Sequence, residues 1–143
     1  MLRILLDTNI ALRLYDIEGP FHLQVESYIK RRGGGADTFL IAPQVLFELR
    51  VVMTRPIHSN GYGQSAADFT LASQRLMRFT EFNPDPPDLL ERWLNICARH
   101  EILGKQSHDA RLVAWMEAYN VEAILTLNPR HFAAFTGIQV LTP

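Results

Sequence analysis

Three carboxylates, Asp7, Glu48 and Asp109, stand where a folded chain can put acids to chemical use. Asp7 ends the apolar run Leu2-Arg3-Ile4-Leu5-Leu6 and is followed by Thr8, Asn9 and Ile10. Such a run reads as a parallel strand covered by helices on both faces, because those strands are continuously apolar rather than alternating. The acid then falls outside the carboxyl end of the strand, in the crevice where open parallel sheets collect ligands. The plainer reading is that Asp7 only accepts hydrogen bonds from the turn that follows. Glu48 lies within an apolar helical face, between Val45 and Val52. An unpaired charge is costly to bury, so Glu48 must meet an arginine or a metal, or else sit at a rim. Asp109 falls in the first turn of a helix, where an acid offsets the helix dipole with no catalytic role at all. Together, three acids at the rim of a parallel sheet suit Mg²⁺ or Mn²⁺, which take oxygen ligands and keep several waters. No Cys/His cluster points to zinc.

The elements that must position these acids alternate along the chain. After the first strand, Asn9 to Tyr15 reads as a short helix, broken at Asp16-Ile17-Glu18-Gly19-Pro20, and a second runs from about Phe21 to Arg32 with Leu23, Val25, Tyr28 and Ile29 as a partial apolar stripe. Lys30-Arg31-Arg32 before three glycines reads as a basic loop that touches phosphates or, the favoured reading, as cations in a helix's last turn beside a glycine stop. Thr38 to Ala42 is a strand, and Pro43 opens the helix to about Thr54 that carries Glu48. Asn60-Gly61-Tyr62-Gly63 is turn chemistry, with no phosphate-loop spacing. Ser65 caps a helix to about Arg78 with Phe69, Ala72, Leu76 and Met77 inward, and Phe79 to Phe82 is a short strand. Asp88 to His100 is a helix expected to bury Leu90, Trp93, Leu94 and Cys97. Ser107 is a natural N-cap for the helix His108 to Asn120. Val121 to Leu127 is a strand, a short helix holds Phe132 and Phe135, and Ile138 to Leu141 is the last strand. This alternation argues for an α/β fold with right-handed crossovers on a parallel sheet.

Composition bounds the answer without choosing it. A chain of 143 residues, 48% hydrophobic and 20% charged, fits one domain over 1–143. Its 14 Lys+Arg balance 15 Asp+Glu, so no global basic footprint for nucleic acid exists, although a local patch is compatible with the count. The single cysteine, Cys97, excludes a disulfide framework and reads as a small hydrophobe. The apolar start is interrupted by Arg3, Asp7 and Arg13, which does not fit a signal peptide, and no stretch reaches membrane-span length. A cytoplasmic protein with no membrane partner is expected.

Over nearly its whole length the sequence resembles the PIN-domain ribonucleases, in particular the compact VapC-like branch. The segments that carry the resemblance are LLDTNI, PQVLFELRVVMTRP, GKQSHDARLVAWM, ILTLNPRHF and IQVLTP, in that order. The resemblance implies a three-layer α/β/α fold with a five-stranded parallel sheet. It implies that Asp7, Glu48 and Asp109 converge on one Mg²⁺ or Mn²⁺ site and hydrolyse RNA, leaving 5′-phosphate and 3′-hydroxyl ends. It further implies a homodimer and a cognate antitoxin that crosses the acidic groove. Thr8, Asn9 and Thr126 match small polar positions near the site, where they orient a carboxylate or water or serve only as turn and strand residues. Arg55, Lys105 and Arg111 lie near the acidic motifs in sequence, as RNA-backbone contacts or as solvated surface charges.

One departure bears on metal content. Where the family usually places another acid after the fourth strand, this chain reads Asn128-Pro129-Arg130-His131-Phe132. Asn128 keeps a neutral oxygen ligand or cap, but the negative charge is missing, so one tight metal and a weak second are expected. The same substitution motivates an alternative: a PIN fold that has lost turnover and binds RNA or protein. A phosphatase with an aspartyl nucleophile is a third reading, opposed by Asn9 where a second acid would stand.

Overall fold

The computed structural model describes residues 1–143. Its centre is β1 (Arg3–Leu6), hydrogen-bonded in parallel on one edge to β2 (Thr38–Ile41) and on the other to β4 (Ala123–Leu125). With both edges paired and both faces covered, Ile4, Leu5 and Leu6 are fully buried, which is why this stretch carries no alternating polar residue. The sheet is completed by β3 (Glu81–Phe82) beside β2 and β5 (Gln139–Leu141) beside β4, giving the all-parallel order β3-β2-β1-β4-β5. The first three strands step outward in one direction, and the chain then returns to the other side of β1. The crevice between the carboxyl ends of β1 and β4 is therefore a topological switch point.

Helices α1 (Thr8–Tyr15), α2 (His22–Gly33), α3 (Pro43–Thr54) and α4 (Ala66–Met77) pack on one another in one layer. Helices α5 (Leu89–Arg99) and α6 (Gln106–Ala118) form the opposite layer with a 3-10 turn at Pro129–Phe132, so the three-layer α/β/α expectation holds. One continuous apolar core runs through both layers, with Trp115 and Phe132 among its largest buried side chains. No helix is long and apolar enough to cross a membrane.

Several local expectations are corrected. In α5 the buried residues are Leu89 and Ile96, with Trp93 and Cys97 half-buried, whereas Leu90 and Leu94 point outward at 64% and 54% exposure. The segment is apolar around more than one helical face, and α6 takes the face one residue earlier. Leu23 on α2 and Met77 on α4 are likewise exposed, His22 and Leu76 being buried beside them. Ser107 is not the cap of α6, because the helix already begins at Gln106. Its carbonyl instead accepts the Trp93 indole N–H at 2.8 Å, tying α5 to the start of α6. The strand expected over Phe79–Phe82 shortens to two exposed residues at the sheet edge.

Candidate active site

Asp7 caps α1 immediately after β1 and does the plain job and more. Its Oδ1 accepts the Thr8 backbone N–H at 2.8 Å, and its Oδ2 accepts the Thr126 hydroxyl at 2.7 Å and the Asn9 amide at 3.2 Å. Thr126 follows β4 and is fully buried, and its Oγ1 also accepts from the Asn9 amide and from the Asn128 backbone N–H. Asn9 closes the frame by accepting the Leu127 N–H at 3.0 Å. The two strand ends of the switch point are thus sewn together around one carboxylate. Burial pushes the Asp7 carboxyl above its ordinary value, the bonds from Thr126 and Thr8 oppose that shift, Glu48 adds to it, and His131 reduces it.

Glu48 reaches the same region from α3. Its Oε2 accepts the Thr8 hydroxyl at 2.6 Å, so Thr8 serves Asp7 with its backbone and Glu48 with its side chain. Its Oε1 accepts the Gln44 amide at 2.9 Å. Asp109, in the first turn of α6, is half-buried, and burial together with Asp7 and Glu48 pushes its carboxyl up to about 6 against the opposing charges of His131 and His108. Asp7, Glu48 and Asp109 therefore lie within one electrostatic field. As the side chains stand, no three Asp, Glu, His or Cys residues are gathered closely enough to encircle a metal ion. The internal donors on Asp7 and Glu48 explain part of this, since each holds a carboxylate oxygen towards the protein. The donor chemistry still suits a hard divalent cation: the set is all oxygen, it is repulsive without a cation, and Asp109 is acted on by burial and charge with no hydrogen bond to hold it.

The remaining sequence candidates separate. Arg111 is committed to Asp85 at 2.6 Å and to Gln44 at 3.1 Å, and Arg55 donates to the Asn60 carbonyl in the turn after α3. Lys105 is exposed at the start of α6. Asn128 is exposed at the head of the 3-10 turn, where its backbone N–H rather than its side chain does the bonding. His131, on that turn, lies close enough to act electrostatically on both Asp7 and Asp109. The residue that sequence reasoning overlooked is Gln44. Its one signal was a polar side chain one helical turn before Glu48, on the face pointing inward.

Comparison with known proteins agrees with this architecture. Among solved structures, the chain is similar to a chain of VapBC2 from Rickettsia felis bound to a DNA fragment from the promoter, with TM-score 0.72, 14% identity and 99% of each chain covered. It is also similar to VapC20 from Mycobacterium tuberculosis, a Sarcin-Ricin loop cleaving toxin, with TM-score 0.69, 17% identity, and 95% of this chain and 98% of that one covered. A third similarity is to DNA-bound VapBC from Salmonella typhimurium, with TM-score 0.64, 18% identity, and 99% and 98% covered. Identities this low speak for a shared fold. Sequence comparison with curated proteins returns no match. The family model described as PIN domain matches residues 4–137, from β1 to the threshold of β5, and so takes in all three acids. The chain belongs to the PIN domain family.

Proposed function

We propose that the protein is a Mg²⁺- or Mn²⁺-dependent endoribonuclease, the toxin of a toxin–antitoxin pair, acting as a single domain in the cytoplasm. The observation that carries this reading is the cost the fold accepts at the switch point. Asp7 and Asp109, from different layers of connection, are both held above the ordinary carboxylate range by burial and by neighbouring acids. A divalent cation held by Asp7, Glu48 and Asp109 would relieve that repulsion, and it would supply the charge that activates water and offsets the phosphate. The chain's own part is to fix Asp7 through Thr126, Asn9 and the Thr8 N–H, and to fix Glu48 through the Thr8 hydroxyl. His131 acts on Asp7 and Asp109, and Lys105, exposed at the start of the helix that carries Asp109, is available to the RNA backbone. Water attacks phosphorus in line with the departing 3′-oxygen, which leaves as a hydroxyl while the 5′ side keeps the phosphate. Single-stranded RNA should be cut with Mg²⁺ or Mn²⁺ and left intact with chelator, the products carrying 5′-phosphate. Cleavage that persists in chelator would overturn the mechanism.

A binding module without turnover is the second reading, favoured by His131, which with Arg130 stands where the family usually places a further acid. RNA retained but uncut in saturating Mn²⁺ would establish it. The same residue gives a graded prediction. Replacing His131 by Asp adds a negative ligand charge beside the acids, so His131→Asp should bind Mn²⁺ roughly tenfold more tightly by calorimetry. Asn128→Asp should do so less. Two equivalent tight ions in the wild type would refute the charge argument.

The VapBC neighbours support a protein antitoxin as partner. Self-association is proposed through exposed apolar side chains, among them Phe47 and Val51 on α3, 63% and 56% exposed. A stable dimer typically buries roughly 1,200–2,000 Å². Light scattering at micromolar concentration should report a dimer, and a monomer there would contradict it.

A further inference from the structure

A glutamate side chain has three rotatable bonds, so the backbone of α3 does not by itself decide where the Glu48 carboxylate stands. The side chain that decides it from within the helix is Gln44, one turn earlier and only 6% exposed. One hydrogen of its amide nitrogen goes to Glu48 Oε1 and the other to the carbonyl of His108, both at 2.9 Å. His108 immediately precedes Asp109, so a single NH₂ group touches one acid and the backbone that carries another. The Gln44 Oε1 accepts from Arg111 at 3.1 Å, and Arg111 is itself anchored on Asp85 at 2.6 Å. Only one orientation of the amide satisfies these neighbours. Exchanging its oxygen and nitrogen would set an oxygen against a carboxylate and a carbonyl, and an NH₂ against a guanidinium.

Space-filling does not account for this residue, since an apolar side chain of similar size would fill the volume without burying an amide that needs three partners. Nor does the clamp exhaust Glu48. The Thr8 hydroxyl and the Gln44 amide take one lone pair on each oxygen, and a carboxylate oxygen has two. We infer that Gln44 is a positioning residue of the acidic site: it fixes the Glu48 carboxylate and, through the His108 carbonyl, sets its spacing from Asp109, so that α3 and α6 offer a constant gap to a divalent cation. This rests on the reading of the three acids as a metal site. Arg111 belongs to the same device as the group that holds the amide the right way round, which gives it a role away from RNA.

Mn²⁺ titration of the metal-free protein, followed by the electron paramagnetic resonance of unbound Mn²⁺, tests the inference without recourse to activity. Gln44→Met keeps the length of the side chain and removes both donors, and it should weaken Mn²⁺ binding about 10- to 100-fold with the circular dichroism of the fold retained. Trp93→Phe is the structural comparison, because it deletes another hydrogen bond to the start of α6, that to Ser107, without touching an acid. It should lower the melting temperature and leave Mn²⁺ affinity within about twofold. If Gln44→Met behaves like Trp93→Phe, losing stability but not affinity, Gln44 only joins two helices and the inference is overturned. Should Gln44→Met not fold, Arg111→Met releases the amide oxygen and should weaken Mn²⁺ at least about threefold, unchanged binding again overturning it. A wild type that takes up no Mn²⁺ removes the metal reading and the inference together, whereas equal binding by wild type and Gln44→Met removes the inference alone.

Discussion

Asp109→Asn is expected to abolish RNA cleavage while making the metal-free protein more stable, two effects of opposite sign from one atom exchanged. On the proposed function the loss of activity should be on the order of 10³-fold, because the amide keeps the shape of the side chain and removes the charge of a proposed ligand. The gain in stability follows from the direction of the carboxyl's shift. Its folded value of about 6 lies above the ordinary 3.8, so between these values the folded chain binds more protons than the unfolded chain. Stability contributed by this group is therefore greatest below about pH 4, falls as pH rises to about 6, and stays at its lower level above that. Asp109→Asn removes the penalty. With the group half-exposed and solvent screening the interaction, the gain at pH 7.5 should be about 1 kcal/mol, or about 3 °C in melting temperature. Saturating Mg²⁺ should reverse the order, stabilising the wild type and not the variant. Thermal melts of both proteins across pH 4 to 8, with and without Mg²⁺, check all of these outcomes. A variant less stable than wild type without metal at pH 7.5 would show that Asp109 is held by something other than burial and repulsion.

Thr126→Val should cost about 2 kcal/mol, the loss of a hydrogen bond to a buried charged group, and should lower activity about 10- to 100-fold although Thr126 touches no substrate. The isosteric valine leaves Asp7 Oδ2 with only the longer Asn9 contact and removes the acceptor shared by the Asn9 amide and the Asn128 N–H. Because the Thr126 bond opposes the upward shift of Asp7, its removal raises that carboxyl further. The variant should therefore be most destabilised at neutral pH and recover towards wild type in acid, where Asp7 is protonated in both proteins. Thr126→Ser keeps the hydroxyl and should retain activity. Urea melts at pH 4 and pH 7 read the difference, and a loss equal at both pH values would mean that only packing was disturbed.

What the sequence disclosed and what it withheld divide by the range of the interaction. The central strand was legible because full burial on both faces leaves Ile4-Leu5-Leu6 unbroken, and Asp7 was legible because the run stops there. The α5 face was misread because Leu89, Leu90, Trp93, Leu94, Ile96 and Cys97 span two helical faces, and only contact with α6 chooses between them. Ser107 has the right type for a cap, but the helix begins one residue earlier, and the useful atom there is a carbonyl. Gln44 showed only its place one turn before Glu48, for the same reason. Its partners His108 and Arg111 lie more than sixty positions away, and nothing local announces them.

The bond between Thr126 and Asp7 joins residues 119 positions apart, and β4 can pair with β1 only after almost the entire chain exists. Closing so long a loop costs entropy before any contact offsets it, and folds dominated by such pairings form slowly compared with helical bundles. A partly synthesised chain would carry Asp7 and Glu48 but neither Thr126 nor the Asn9 anchor at Leu127. The acids would then be solvated and unaligned, as in any unstructured segment. On the proposed function, the acidic frame is complete only once the chain has been made at least as far as Leu127 and β4 has paired with β1.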